Sequence, residues 1–481
     1  MGGSKNFFLD TIISIIPNIV SKSKGIFFIP IITKIIGQDA YGVWTNFTVA
    51  VTLFASIASL SLGASANKYL TNSDEEVVQE KYSAIILITS ISSVIVGGAI
   101  IAFQNPVSSF IFGDPAQSHL IFLLIIVMFL NQFMNISTQL LRSQRQMSIF
   151  STIKSIQSVG EIGTIGMTAI WFRSIESILF SLSLFYFLMS LSVFVYLYFK
   201  YGIYAPDFSG IGKYLQFSIP LIISGTMYWL VNVSDRYLIT YFHSVDVTGG
   251  YAVVYATASG LSIFSVAIGT VLFPDLSALR ENNQTKKYRR RLNNVLKYYF
   301  VVTIPAAVGI TVIADPILYL LSTAEINKYT HLMFLLAPAM VAYGLFNILI
   351  QSLLSDGSSR VSALIWGAIA VLNLGANVLL VPQYAAMGAA ATTLGSFLVG
   401  VVVLTLWKRK DITLSMVLVA KVVVASVAMG TAVVFVQSLL PESNVITLPV
   451  LIGTGILVYG ILGFASGFLT RQDIHFVVDA I

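Results

Sequence analysis

Apolar residues run along this chain in blocks long enough to cross a bilayer, broken by short polar or basic stretches. A helix needs about 20 predominantly apolar residues to span the hydrocarbon core. Fourteen blocks reach that length, at about 8–35, 41–63, 83–104, 118–141, 148–171, 176–199, 213–240, 248–273, 296–320, 329–354, 360–382, 386–407, 412–437 and 446–470. Inside several of them polar residues recur three and four apart, which sets them on one helical face. The pattern predicts an all-α integral membrane protein with about 14 transmembrane helices.

Composition supports this and excludes alternatives. Of 481 residues, 56% are hydrophobic and 10% charged, against about 25% charged in a soluble domain. The absence of cysteine removes disulfide frameworks and thiolate metal sites. Four histidines, at positions 119, 243, 331 and 475, are too scattered for a metal or catalytic cluster. No Walker A loop is present, so ATP hydrolysis by this chain is not expected. Neither is any catalytic residue, metal site or resident cofactor. The first apolar block far outlasts a signal-peptide core, so no cleavable leader is expected.

Charge placement sets the topology. With the N-terminus inside, inner loops and helix ends hold nineteen Lys and Arg and the outer side three, Lys34, Arg173 and Lys328. The remaining five, Lys22, Lys24, Lys154, Arg236 and Lys421, fall within spans. This positive-inside bias predicts cytoplasmic N- and C-termini and a multi-pass protein of the cytoplasmic (inner) membrane. It also explains the net charge of +6 without a nucleic-acid partner.

The chain repeats itself. Asn135-Ile136-x-x-Gln139-x-Leu141-x-Ser143 recurs as Asn347-Ile348-x-x-Gln351-x-Leu353-x-Ser355, at an offset of 212 that sets Glu161 opposite Asn373. Ala40-Tyr41-Gly42-Val43-Trp44 resembles Gly250-Tyr251-Ala252-Val253 at a slightly smaller offset. Two six-helix lobes follow, 1–205 and 206–409, joined by the polar linker Tyr201–Gly212. Residues 410–481 form a two-helix appendage. An even number of spans per lobe makes this a parallel repeat.

Charge at membrane depth is the strongest functional signal, because a central Asp or Arg costs roughly 2.5–3.5 kcal/mol. Asp235 and Arg236 close the apolar stretch Ser218–Leu238. They either face a lumen or anchor the outer end of their helix. Lys22 and Lys24 lie in the first span, about 200° apart around the helix, so one of them, Lys22 for preference, is expected to line a lumen. Lys154, Gln157, Glu161 and Thr164 share a face. Glu161 there is either an ion or proton site or a structural partner of Lys154 or of a neighbouring helix. Asn131, Asn135, Gln139 and Arg142 form one polar stripe and Tyr343, Asn347 and Gln351 its repeat. The stripes either line a hydrophilic cavity or hydrogen-bond between helices. The basic run Arg280–Lys297 reads as an interfacial segment held by anionic lipid.

Three stretches then carry a family resemblance. They are Ile35-Ile36-Gly37-x-x-x-Tyr41-Gly42-Val43-Trp44; Ser234-Asp235-Arg236-Tyr237-Leu238-Ile239 followed by Gly250-Tyr251-Ala252; and Asn373-Leu374-x-x-Asn377-Val378-Leu379-Leu380-Val381-Pro382-Gln383-Tyr384-Ala385-Ala386-Met387-Gly388-Ala389-Ala390. In order and spacing the chain resembles the O-antigen-type polysaccharide flippases of the multidrug/oligosaccharidyl-lipid/polysaccharide exporter superfamily. It departs at Ala385, where those proteins usually have Gly, which bears on loop geometry rather than cargo. The resemblance implies two lobes around a central cavity, alternating access, and a polyprenyl-diphosphate-linked oligosaccharide moved from the inner to the outer leaflet.

Lys22, Lys24, Lys154 and Arg236 are the cations available to a diphosphate, and Asn131, Asn135, Gln139, Asn347 and Gln351 the hydrogen-bonding groups available to sugars. Glu161 and Asp235 are the candidates for Na⁺ or H⁺ coupling. Membrane lipids and polysaccharide assembly proteins are the further partners expected. Two other readings stay open: a cation-coupled multidrug exporter of the same superfamily, and a membrane glycosyltransferase or polysaccharide polymerase. The first should favour acidic lumen residues; the second normally has a large outer catalytic loop, and no outer block here is that long.

Overall fold

The computed structural model describes residues 24–25, 27–71, 73–202, 204–413, 415–440 and 447–469. Every regular element among them is helical. The first helix, α1, covers residues 24–35 apart from position 26. There follow α2 (Gln38–Ala58), α3 (Leu62–Tyr69), α4 (Glu75–Ala102), α5 (Gln104–Phe112), α6 (His119–Ser143), α7 (Met147–Phe172), α8 (Ile175–Tyr201), α9 (Ile211–Phe242) and α10 (Val245–Ser259). Then come α11 (Ser262–Glu281), α12 (Thr285–Val312), α13 (Ala314–Leu321), α14 (Met333–Leu354), α15 (Ser359–Trp407), α16 (Met416–Leu439) and α17 (Thr447–Ala465).

Eleven helices among the described residues are long and apolar enough to span a membrane. The expected fourteen are not all distinguished, for three reasons. Two expected spans lie end to end in α15, which breaks at Ala385. The polar stripe of α7 lowers its apolarity. Most of the first expected span lies outside the described residues. Large side chains such as Val94, Trp171, Phe199 and Leu364 remain exposed, as suits helices solvated by hydrocarbon.

The chain divides into two compact units, Met1–Gly249 and Gly250–Ile481. In the first, Leu62, Ala66, Val78, Ile85, Met134, Leu140 and Tyr214 form a core joining α3, α4, α6 and α9. Gly42 and Gly249 let α2 meet the start of α10 at backbone distance. A Cβ on Gly42 would sit 2.1 Å from the Val245 carbonyl oxygen, and one on Gly249 2.1 Å from that of Gln38. Gln38 Nε2 seals the contact by donating to the Asp246 carbonyl and carboxylate, both at 3.0 Å. The Tyr201–Gly212 linker is pinned to α4, where buried Lys81 pairs with Asp207 at 2.5 Å and donates to Ser209. Those bonds from Lys81, with others from Ser209, hold the exposed Asp207 carboxyl well below its usual range.

In the second unit α16 and α17 pack on α12, with Tyr459 donating to the Val301 carbonyl at 2.8 Å. Three of the seven basic residues of the run Arg280–Lys297, which spans the end of α11 and the start of α12, are paired. Arg280 reaches Asp356 at 2.6 Å and Asp411 at 3.2 Å, Arg289 reaches Asp411 at 3.1 Å, and Arg291 reaches Asp275 at 2.5 Å. Buried Lys408 pairs with Asp356 and donates to Tyr288 and the Ser352 carbonyl, each at 3.0 Å. Partial burial raises the Asp356 carboxyl, but Arg280 and Lys408 outweigh it and hold the group below its ordinary value. Lys286, Lys287 and Arg290 stay exposed.

Ala385 sits at φ 49°, ψ −131°, a region natural to glycine and costing other residues about 1–3 kcal/mol. The turn is tight, since a Cβ at neighbouring Gly388 would lie 2.5 Å from the Leu380 carbonyl oxygen. Ala385→Gly is therefore expected to stabilise the protein by about 1 kcal/mol, seen as a higher Tm of the purified protein, while Ala385→Val lowers it. An unchanged Tm in both would show that the turn relaxes.

Candidate functional site: a charged cavity in the first unit

Glu161 is 5% exposed, and everything polar near it converges on its two oxygens. Lys24, on α1, forms an ion pair with Oε2. On the other oxygen, Tyr186 of α8 donates at 2.7 Å and Gln157 of α7 donates at 3.1 Å. Gln157 also donates to the Tyr186 hydroxyl at 3.2 Å and accepts from Lys154 at 3.3 Å. Lys154 therefore reaches Glu161 through an amide, while the direct charge partner comes from a neighbouring helix. Glu161 thus has one lysine in direct contact and a second, Lys154, one amide away.

The cluster opens on a cavity of about 380 Å³ lined by Lys24, Trp44, Thr48, Thr52, Asn131, Gln157, Glu161 and Tyr186. That volume lies in the range of small-ligand sites. The wall is mixed: hydroxyls and amides face a Trp indole and a Tyr ring, a lining suited to water, to an anion and to sugar hydroxyls.

The other expected site residues are placed as follows. Lys22 lies outside the described residues. Of the α6 stripe, Asn131 lines the cavity, Asn135 is exposed on the helix and Gln139 packs on α3, its Cγ 3.3 Å from where a Cβ of Gly63 would be. Gln351, the sequence counterpart of Gln139, has its Nε2 3.8 Å from where a Cβ of Gly269 would be. Asn347 donates to the Tyr343 carbonyl of its own helix at 2.9 Å. Asn373, the repeat counterpart of Glu161, is neutral and joins Asn377 at 3.1 Å and Ser396 at 3.3 Å.

Asp235 is 2% exposed and accepts from the Arg236 amide at 2.9 Å, and Arg236 is half-buried. Their helix end is fixed by Asn46, which accepts from Tyr237 through its carbonyl at 2.9 Å and donates to Thr240 and the Ile111 carbonyl at 2.7 Å. Tyr186 was absent from the sequence-derived set. Ser183, Tyr186 and Ser190 form a buried polar stripe on apolar α8, and that spacing was the available signal.

Residues 31–331 match the family model described as polysaccharide biosynthesis protein. The chain belongs to this family. Similar proteins include a probable low-salt glycan biosynthesis flippase of Haloferax volcanii, 25% identical over 190 residues, covering 40% of each chain. A probable lipid II flippase of Thermotoga maritima is 22% identical over 244 residues, 49% of each. The chain thus matches less than half the length of these curated relatives. Among solved structures, the lipid II flippase MurJ in an inward closed conformation aligns at TM-score 0.74 and 18% identity, covering 95% of this chain and 98% of that one. An inward-facing multidrug transporter of the MATE family aligns at TM-score 0.63 and 13% identity, covering 82% and 94%. These likenesses establish that the family member described here has the fold of that exporter superfamily and is a multi-pass membrane protein.

Removing one member of a buried ion pair leaves the other uncompensated, at about 3–5 kcal/mol, whereas removing both is far milder. Lys24→Met and Glu161→Gln are each expected to lower the Tm substantially, and the double variant to recover most of the loss. Additive losses in such a double-mutant cycle would mean that the two groups act independently.

Proposed function

We propose that this protein is a transporter rather than an enzyme: a flippase moving polyprenyl-diphosphate-linked oligosaccharide from the cytoplasmic to the outer leaflet by alternating access. The observation that carries the reading is the mixed polar and apolar cavity of the first unit, with Lys24 and Glu161 in its wall and Lys154 behind Gln157. A diphosphate needs cations in a wet site, and sugars need amides and hydroxyls such as Asn131, Gln157 and Thr48. Family membership and the flippase names of the relatives point the same way. A multidrug exporter of cationic drugs would want the opposite charge balance.

Lys24 cannot hold Glu161 and a diphosphate equally well. In this reading the anionic cargo draws Lys24 away, and the freed Glu161 carboxylate takes up a proton or Na⁺. That exchange couples transport to an ion gradient, with Asp235 and Arg236 as a second charged pair on the route. The moving bodies are the repeat lobes 1–205 and 206–409, with 410–481 appended. The protein lies in the cytoplasmic membrane with both termini inside, next to polysaccharide assembly proteins.

In proteoliposomes without ATP, the wild type is expected to carry a fluorescent lipid-linked oligosaccharide across the bilayer, faster with an imposed proton or Na⁺ gradient. Glu161→Gln should abolish the response to that gradient. No movement of the glycolipid by the wild type would reject the cargo, and rates indifferent to both gradients would reject the coupling.

A further inference from the structure

Six basic residues of the first unit gather at one end of its helices. Gln144, at the end of α6, donates to the Leu70 carbonyl beyond α3 at 2.9 Å, and Gln146 donates to Tyr201 at the end of α8 at 2.5 Å. Lys81 ties the start of α4 to the linker before α9. Lys68, Lys81, Arg142, Arg145, Lys200 and Lys213 therefore share that end, which the positive-inside bias assigns to the cytoplasm. Lys81 is consumed by Asp207 and Ser209, and Lys200 leans on the Tyr196 hydroxyl at 3.1 Å.

Lys68 and Lys213 are different. Both are exposed, and neither makes an ion pair with any described residue. Both sit instead on one aromatic platform. Lys68 Nζ lies 3.9 Å from the ring centre of Phe217 and 5.1 Å from that of Tyr69. Lys213 Nζ lies 4.6 Å from the same Tyr69 ring. The two ammonium groups are thus no farther apart than those two distances to Tyr69 laid end to end.

The platform is also rigid. Tyr69 packs at 5.1 Å on Tyr214 and at 5.8 Å, edge-on, against Phe217. Beneath it Ser65 donates to the Tyr214 carbonyl at 2.9 Å and Ser218 to the Ser61 carbonyl at 3.1 Å, stapling α3 to α9. Ring faces hold the lysines in place while leaving their N–H donors directed elsewhere, so little ordering remains to be done on binding.

Two ammonium groups anchored on one aromatic platform offer charge-assisted donors to both phosphates of a diphosphate, where a single phosphate uses one. Aromatic rings beside them offer an apolar surface to a sugar or to the first isoprene unit. We propose that Lys68 and Lys213, carried by Tyr69 and Phe217, form a docking site for the diphosphate of a lipid-linked sugar at the cytoplasmic end of the first unit, outside the Glu161 cavity. The site rests on the cargo proposed above and would be where that cargo is first captured.

The test uses the full chain in phosphatidylcholine nanodiscs and measures binding of radiolabelled geranylgeranyl diphosphate, with geranylgeranyl monophosphate and phosphatidylglycerol as competitors. Wild type should prefer the diphosphate. The pair Lys68→Gln with Lys213→Gln should weaken it roughly tenfold or more, and the pair Lys68→Arg with Lys213→Arg should restore most of the affinity. Both lysines are exposed, so an unchanged Tm should accompany the loss. Wild-type affinity in the Gln pair overturns this site and leaves the cargo standing. Equal competition by phosphatidylglycerol makes the platform a general lipid-headgroup patch and overturns the diphosphate assignment. No diphosphate binding by the wild type removes both the site and the cargo.

Discussion

A carboxylate at membrane depth must be answered inside the protein, because hydrocarbon offers it nothing. Glu161 is answered by an ammonium, a phenol and an amide from three helices. That requirement accounts for the polar stripe of α7, for a tyrosine on an otherwise apolar α8, and for the approach of α1 to both. A cavity lies beside these groups, which converge on the two oxygens of one carboxylate. The proposed transport chemistry uses the same constraint, because a group held by a counter-ion changes partners when a stronger one arrives.

The internal repeat separates packing from chemistry. Gln139 lies against Gly63 and its sequence counterpart Gln351 lies near Gly269. Each amide lies beside a glycine of another helix. At the matching depth, Glu161 with Lys24 is charged, while Asn373 with Asn377 and Ser396 is neutral. At these two sequence-matched positions, the charged one lies in the first unit and the neutral one in the second.

Much of this was legible in the residues. Apolar block length gives the helical, many-span architecture, and the buried charge of Glu161 announces a partner. What periodicity leaves open is which partner. Lys154 shares the Glu161 face two turns away, yet it reaches only Gln157, and the pairing lysine comes from another helix. Helix-to-helix register decides that, and no local pattern encodes it. The fused α15 and its break at Ala385 show the same limit: Pro382 and an Ala in place of Gly do not reveal that the turn is made at positive φ. The run Arg280–Lys297 reads as lipid-facing by composition, but Asp275, Asp356 and Asp411 claim three of its arginines, from positions up to about 130 residues away in sequence.

The most direct measurement asks whether water reaches the Glu161 cavity. The chain has no cysteine, so single substitutions report cleanly. Thr48→Cys, on the cavity wall, should react with a membrane-impermeant maleimide in intact proteoliposomes or after opening the opposite face, and anionic glycolipid should slow the reaction. Val94→Cys, on the outer surface of α4, should remain unlabelled. If Thr48→Cys is as inert as Val94→Cys from both faces, the cavity is dry and the ion pair is structural alone, which would contradict the account.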